Sequence, residues 1–243
     1  MESKMQISLD DVKGIFKFLA GNPEVKSVFE TNTLGFLREL HQNYGSEFFL
    51  FCMCKSKNFS LEQASDCYRT EFLANQDWLH FGFHAWDENS DYGKATGRQM
   101  AEDYQVTMSQ IGRITGITQF SDTIRLHKFA GSREACRALK EKGIRCLLTA
   151  DDERSSYYLN CGEVECVNSE GAYFEESEGI LFCRSLTRLE KSVDPISDIQ
   201  KSFDKGVQTI SVFTHEWQMD KKEVRVKLQA CCEWEQQMRR KAL

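Results

Sequence analysis

Apolar and polar residues alternate along the chain in blocks that predict strands and helices in turn. Six short runs are almost continuously apolar, as expected for strands that are buried on both faces of a parallel sheet. These runs cover residues 5–9, 47–54, 78–84, 123–129, 144–149 and 207–214. Longer stretches with apolar residues at helical spacing separate most of them. The alternation predicts an α/β fold built on a parallel sheet or a (β/α) barrel.

Capping residues mark the start of several predicted helices. Thr33 is the predicted N-cap of a helix that ends at Gly45, and Ser60 with Gln63 forms a capping box for the next helix. Further helices are expected at 94–114, 132–143, 194–206 and 221–240.

Residues 156–190 break this alternation. Short apolar pieces lie between turn residues there, which predicts an inserted β-hairpin. With only 2 prolines and no low-complexity linker, the composition marks no domain boundary. Residues 1–243 are therefore expected to form a single domain that contains the hairpin.

Charge and composition argue against several classes of partner. The formal net charge is -6 and is spread along the chain, which argues against nucleic acid or an anionic membrane as the main partner. No apolar run reaches transmembrane length, and residues 1–14 lack the apolar core of a signal peptide. The 10 cysteines form no CxxC pair, so we expect reduced thiols and a cytoplasmic location.

Polar residues collect at the carboxyl ends of the predicted strands, where reactive residues gather in parallel α/β folds. Three of the five histidines lie at these ends. The complete strand-end set is Asp10, Asp11, Lys55, His84, Asp87, Glu88, Arg125, His127, Asp151, Asp152, His215 and Glu216. Carboxylates and imidazoles at one edge predict a divalent metal site with acid and base partners.

Motifs in this set resemble those of the NodB-homology polysaccharide deacetylases, the family 4 carbohydrate esterases. ISLDDV at 7–12 is similar to the family's opening motif, a strand followed by two aspartates. FTHEW at 213–217 resembles the closing LxH motif, and His84 matches the leading histidine of the second motif. The resemblance covers most of the chain and implies a (β/α) barrel of the irregular seven-stranded deacetylase type.

The resemblance also implies a role for each matching residue. Asp10 would be the general base and Asp11 a metal ligand. His84 would also bind the metal, and His215 would act as the general acid. The family's second metal histidine falls at Glu88 in this chain, and a carboxylate can replace an imidazole on zinc.

Two further positions have more than one interpretation. The family's third motif, RxPY followed by glycine, corresponds to IRLHKFAG, in which either Arg125 or His127 takes the arginine position. His127 could bind the metal or orient Asp10. Asp151 would stand for the aspartate that supports the general acid. The implied cofactor is a divalent metal, with zinc expected first, although iron, cobalt and nickel accept the same ligands.

The predicted function is a metal-dependent hydrolase that removes an N-acyl or O-acyl group from a carbohydrate or other small molecule. Trp86, Tyr92 and Trp217 are the aromatic residues available to stack on a sugar ring. A glycosidase on a related barrel is an alternative, with Asp10 and Asp151 as its two carboxylates. A non-catalytic relative with a decayed metal site, which binds carbohydrate or protein, is the other.

Overall fold

Parallel strands form the centre of the chain, in a computed structural model that describes residues 4–152 and 156–241. Within these ranges the strands are β1 (Lys4–Val12), β2 (Phe48–Met53), β3 (Lys55–Ser56), β4 (Phe59–Ser60), β5 (Leu79–Ala85), β6 (Thr123–Ile124), β7 (Cys146–Leu148), β8 (Ala172–Glu175), β9 (Ile180–Cys183), β10 (Ser185–Arg188) and β11 (Thr209–His215). The α-helices are α1 (Gly14–Gly21), α2 (Asn32–Tyr44), α3 (Arg69–Leu73), α4 (Gly97–Thr115), α5 (Arg133–Glu141), α6 (Cys161–Glu170), α7 (Pro195–Asp204) and α8 (Lys222–Lys241).

The strands form two main sheets. The first has the order β10-β11-β1-β2-β5, and every neighbouring pair in it is parallel. The second has the order β6-β7-β9-β8, in which β8 runs antiparallel to β9. Strands β3 and β4 form a small antiparallel pair. The predicted α/β class with a parallel sheet is therefore confirmed.

The predicted closed barrel of seven strands is not found among the described residues, because no strand pairing there joins the first sheet to the second. One physical reason is the short length of β6. The strand predicted at 123–129 ends at Ile124, and the chain then turns through His127–Phe129. Lys128 and Phe129 have left-handed backbone angles, with φ of 61° and 55°, which a continuing strand does not allow.

Helices begin close to the predicted capping residues. Thr31 caps α2, two residues before the predicted Thr33, and its Oγ1 accepts from the N–H of Leu34 at 3.2 Å. The predicted capping box of Ser60 and Gln63 is confirmed. It opens a single 3-10 turn, however, and the α-helix of this region is the later and shorter α3.

Residues 156–190 differ from the predicted hairpin insertion. The antiparallel hairpin is confined to β8 and β9, and α6 precedes it. Asn160 and Glu163 form a capping box at the start of α6, and Gly171, with φ of 84°, ends it. Val167 is the buried residue of this helix, so its sequence lacks the broad apolar face that identifies helices. β10 then pairs in parallel with β11, so the end of this region is part of the main sheet.

The central strands are buried on both sides, which explains their continuous apolar runs. Leu9, Leu50, Phe81 and Phe83, from three adjacent strands, each expose 0% of their surface. No helix in the described ranges is both long and apolar enough to cross a membrane.

A buried carboxylate fixes α1 against the end of β11. Glu216 accepts hydrogen bonds from three backbone N–H groups, those of Lys13 at 2.9 Å, Gly14 at 2.6 Å and Ile15 at 2.6 Å. The backbone N–H groups of the first turn of a helix have no acceptor within the helix itself. A β-carbon at Gly14 would lie 2.9 Å from Glu216 Oε2, so this contact requires glycine. Glu216 therefore has a structural task, although its position at a strand end made it a candidate for chemistry.

Glu216→Ala is expected to lower the free energy of unfolding by about 2–4 kcal/mol, because three N–H donors lose their acceptor. Urea denaturation followed by circular dichroism measures this loss. Glu102→Ala is the matched control, since Glu102 is an exposed glutamate on α4. The control should change stability by less than about 0.5 kcal/mol. Equal stability of the two variants would contradict the assignment.

Candidate active site

Two adjacent aspartates lie at the end of β1. In a regular strand their side chains would point to opposite faces. Here the pairing of β1 with β2 shifts register between Leu9 and Val12, and Asp11 has a left-handed backbone angle with φ of 60°. Residues other than glycine adopt this conformation at a cost of roughly 1–3 kcal/mol. Because of this distortion, the Asp11 side chain turns toward His84 on β5. The Asp10 side chain remains buried at the end of β1.

Asp10 forms a buried ion pair with Arg125. Arg125 exposes 0% of its surface, and its Nη1 donates to Asp10 Oδ1 at 2.8 Å. The guanidinium also donates to the hydroxyls of Ser8, Ser185 and Ser211 at 3.0–3.1 Å. Its Cζ lies 3.9 Å from the centroid of the Phe213 ring. These contacts hold both Arg125 and the Asp10 carboxylate at fixed positions.

Asp11, His84 and His127 converge at the same edge; we call them the Asp–His–His group. Asp11 Oδ1 lies 3.2 Å from His84 Nε2 and 3.6 Å from His127 Nδ1. One ligand atom from each residue lies within 4.8 Å of the other two. Asp11 Oδ1 is buried and accepts no well-aligned hydrogen bond from the described residues, so the 3.2 Å contact is electrostatic.

The protonation of His84 fits a cation at this group. His84 Nδ1 lies 2.6 Å from the carbonyl oxygen of Arg125, which can only accept, so Nδ1 carries the hydrogen. In the neutral ring the lone pair of Nε2 then faces Asp11 Oδ1, an arrangement that a cation bound by both atoms would make favourable. A backbone carbonyl that orients a histidine in this way is typical of metal ligands.

The charge of Asp11 points the same way. Burial raises the pKa of Asp11, but interactions with His127 and His84, and the charges of His84 and His215, lower it more. The net pKa lies well below the ordinary range, so Asp11 is a carboxylate. One carboxylate with two imidazoles is a ligand set that zinc and several other divalent metals accept. The residues present therefore form a candidate site for a divalent metal.

Glu88 lies outside the Asp–His–His group. Its carboxylate pairs with Lys13 Nζ at 3.1 Å, and 54% of its side chain is exposed. After β5 the chain turns through Asp87 and Ser90, whose side chains bond each other at 3.1 Å, and this turn carries Glu88 outward. The left-handed turn after β6 instead brings His127 to Asp11. Of the two residues that could complete the group, the structure brings His127 to it.

His215 is held by a carboxylate that the sequence reasoning missed. Glu190 Oε1 lies 2.5 Å from His215 Nδ1, and Glu190 Oε2 accepts from Thr214 Oγ1 at 2.9 Å. Burial lowers the pKa of His215, but the bond to Glu190 and the charges of Asp10, Glu190 and Asp11 raise it more. The net pKa is therefore raised, which favours the protonated imidazolium.

Asp151, the predicted partner of His215, lies elsewhere. Arg188 Nη2 donates to Asp151 Oδ1 at 2.6 Å. Glu190 follows the end of β10, which is where the strand-end rule would have found it. The signal was missed because residues 156–190 were interpreted as an insertion, so the end of β10 was not counted.

Three of the four predicted catalytic residues, Asp10, Arg125 and His215, line one cavity, and Asp151 does not. Asp10, His84, Arg125, His127 and His215 surround a space of about 220 Å³. Asp10 and His215 are direct partners in the register of β1 and β11, so the predicted base and acid lie side by side.

The three predicted sugar-stacking residues differ in access to solvent. Trp217 is 58% exposed, and its Nε1 donates to Asp11 Oδ2 at 3.3 Å. Tyr92 is buried, and its hydroxyl donates to Asp103 at 3.0 Å, so it cannot stack on a ligand. Trp86 is half-buried beneath the ammonium group of Lys55, 4.8 Å from the ring centroid.

Similar solved structures include proteins named as a polysaccharide deacetylase and as a CE4 family pseudoenzyme. A polysaccharide deacetylase structure from Mycobacterium smegmatis matches with a TM-score of 0.54 at 10% identity, covering 98% of this chain and 91% of that chain. A mutant of a CE4 family pseudoenzyme matches with a TM-score of 0.55 at 9% identity, covering 97% of this chain. The wild-type CE4 pseudoenzyme from Bacillus anthracis matches with a TM-score of 0.51 at 8% identity, covering 94% of this chain.

The chain has the fold of the CE4 deacetylases. The resemblance predicted from the motifs is confirmed at the level of fold, and identities of 8–10% carry no information on activity. This CE4-like chain spans 63% and 61% of the length of the two pseudoenzyme structures. No protein-family model matches the sequence, and no curated protein matches it either.

Glu190→Gln is expected to lower the pKa of His215, because an amide stabilises the imidazolium less than a carboxylate does. In the wild-type chain His215 should titrate above the ordinary histidine value of about 6.5. NMR titration of the histidine ring protons measures both values, and His215→Gln identifies the resonance. Asp151→Asn should shift the His215 pKa by less than Glu190→Gln does. A larger shift in Asp151→Asn would return the supporting role to Asp151.

Proposed function

We propose that the chain is a metal-dependent hydrolase that removes an N-acyl or O-acyl group from a carbohydrate or other small molecule. The observation that carries the proposal is the convergence of Asp11, His84 and His127 beside a cavity that Asp10 and His215 also line. Metal ligands, a proton acceptor and a proton donor around one space are the groups that hydrolysis of an acyl bond requires.

The Asp–His–His group would hold the metal, and zinc is the first candidate for this ligand set. When bound, such a metal polarises an acyl carbonyl and makes water acidic near neutral pH. The carbonyl oxygen of Arg125 would keep the His84 ring in the orientation that binding needs. His127 reaches the group from the turn after β6, and Glu88 stays with Lys13.

Asp10 is assigned as the general base. Its Oδ1 accepts from Arg125, so we assign proton uptake to Oδ2. The water adds to the acyl carbon and gives one proton to this oxygen. Because Arg125 is fixed by three hydroxyls and an aromatic ring, the carboxylate is held in position before the substrate binds.

His215 is assigned as the general acid. Glu190 engages Nδ1, so Nε2 is the atom that delivers a proton toward the cavity. The bond between the acyl carbon and the leaving nitrogen or oxygen breaks, and that atom takes the proton from Nε2. The products are a carboxylic acid and an amine or alcohol. The raised pKa of His215 favours the protonated form of this donor.

The two alternatives are a non-catalytic relative and a glycosidase, and one observation favours the non-catalytic relative. Two of the similar solved structures are of a CE4 family pseudoenzyme, so the fold also occurs in proteins named as inactive. The glycosidase has less support, since Asp10 and Asp151 each pair with an arginine. Neither carboxylate is then suited to the role of a protonated acid in glycoside cleavage.

Asp11→Ala and His84→Ala are each expected to lower metal affinity by more than about 100-fold, because each removes a ligand of the group. Elemental analysis after equilibration with zinc and dialysis measures the metal that stays bound. His80→Ala is the matched control, since His80 lies on the same strand as His84 but pairs with Glu47. Glu88→Gln should also keep the metal. Full metal content in both ligand variants would reject the proposal.

Asp10→Asn is expected to keep its metal and to lose activity by roughly 10²–10⁴-fold, because the amide cannot accept the proton. Hydrolysis of 4-nitrophenyl acetate by the zinc-loaded chain measures activity, and elemental analysis of the same sample measures the metal. Equal hydrolysis by the variant and the wild type would remove Asp10 as the base. Absence of hydrolysis by the metal-loaded wild type would favour the inactive relative.

A further inference from the structure

Four of the ten residues that line the cavity of the candidate site are lysines or arginines. Asp10 is its carboxylate, whereas Arg125, Lys128, Arg188 and Lys191 line the same space of about 220 Å³. Arg125 pairs with Asp10 and Arg188 with Asp151, but Arg188, Lys128 and Lys191 are not needed for the chemistry assigned above. This local charge is opposite to that of the whole chain, which has a formal net charge of -6.

Arg188 is the least exposed of these three cations. It ends β10, its side chain is 13% exposed, and its Nη2 donates to Asp151. Its Cζ lies 5.1 Å from the ring centroid of Phe213 and 5.7 Å from that of Phe129, so two aromatic rings hold the guanidinium in place.

One donor of Arg188 has no acceptor. Arg188 Nε is buried and makes no hydrogen bond within the described ranges. A buried N–H without a partner is unfavourable. A guanidinium presents its donors in a planar fork that matches the two oxygens of a carboxylate.

Two lysines extend the positive charge to the mouth of the cavity. Lys191 is exposed and sits in the turn after β10, where its backbone N–H donates to the carbonyl of Arg188 at 3.0 Å. Lys128 lies in the left-handed turn after β6, and its ammonium group donates to the carbonyl of Ser90 at 3.2 Å. Exposed cations at a cleft attract anionic ligands over distances of about 8–10 Å at ordinary salt.

The neighbouring cleft has the opposite character. A larger cleft of about 670 Å³ lies on the other side of Asp11. Its acidic lining residues outnumber its two lysines, Lys13 and Lys17; the acidic residues are Asp11, Glu30, Glu88, Glu216 and Asp220. An anionic group would be repelled there and attracted to the smaller cavity.

We propose that the substrate is an acyl compound that bears a carboxylate, and that Arg188, with Lys128 and Lys191, binds this carboxylate. The proposal rests on the proposed function only for the acyl group, since binding of the carboxylate requires neither the metal nor turnover. The cavity is smaller than the roughly 300–1,000 Å³ of pockets for drug-sized ligands, so the carboxylate lies close to the acyl group.

N-acetylglycine and N-acetylglycinamide are the matched probes, since they differ in the carboxylate alone. Isothermal titration calorimetry of the full chain, as purified and after chelator treatment, measures both affinities. We expect the acid to bind at least about tenfold more tightly than the amide in both preparations. Arg188→Gln should abolish this preference and Lys191→Gln should reduce it. Lys17→Gln, an exposed lysine of the neighbouring cleft, is the matched control and should leave the preference unchanged.

Arg188→Gln leaves Asp151 without its arginine, so the double variant Arg188→Gln with Asp151→Asn is also measured. Lys191→Gln is an exposed change that leaves the fold intact. Equal affinity of the wild-type chain for the two probes would overturn the proposal. An unchanged preference for the acid in both the double variant and Lys191→Gln would also overturn it. So would a preference that disappears after the metal is removed with chelator. Loss of hydrolysis alone would count against the proposed function and not against this inference.

Discussion

The buried ion pair of Arg125 and Asp10 is the interaction on which the candidate site depends. Arg125 follows β6 of the second sheet, and its guanidinium donates to Asp10 and Ser8 on β1, Ser185 on β10 and Ser211 on β11 of the first. Removal of one partner from such a pair costs roughly 3–5 kcal/mol, because the other charge stays buried. The carbonyl of the same arginine orients His84. Arg125 therefore fixes both the proposed base, Asp10, and the proposed metal ligand His84.

The rest of the site depends on departures from regular backbone geometry. Asp11 reaches His84 because β1 has an irregular register and Asp11 takes a left-handed conformation. His127 reaches Asp11 because Lys128 and Phe129 take left-handed conformations after β6. Strain of this kind persists where the surrounding structure fixes it, and here the sheets on either side are buried. Of the four described non-glycine residues with positive φ, three lie in these two segments, and the fourth is Tyr157.

Sequence patterns predicted the parts of the site that follow from local rules. Asp10, Asp11, His84 and His215 end buried apolar runs, and parallel strands bring such ends to one edge. Glu190 follows the end of β10 and obeys the same rule, but the prediction of a hairpin insertion over residues 156–190 hid that strand end. The choice between His127 and Glu88 depends on a left-handed turn at Lys128 and Phe129, and neither residue type signals such a turn. Barrel closure depends on pairing between very short strands, which no local pattern encodes.

The two proposed proton carriers have partners of opposite charge. Asp10 is paired with a guanidinium and His215 with a carboxylate, although the two residues are direct neighbours in the register of β1 and β11. Environments that differ in this way let adjacent groups take opposite roles in proton transfer. Both residues line the same cavity as His84, His127 and Arg188, so the proposed acyl group would bind in this space. A carboxylate on the substrate, bound by Arg188 in this cavity, would also restrict the orientation of the acyl carbon relative to Asp10 and His215.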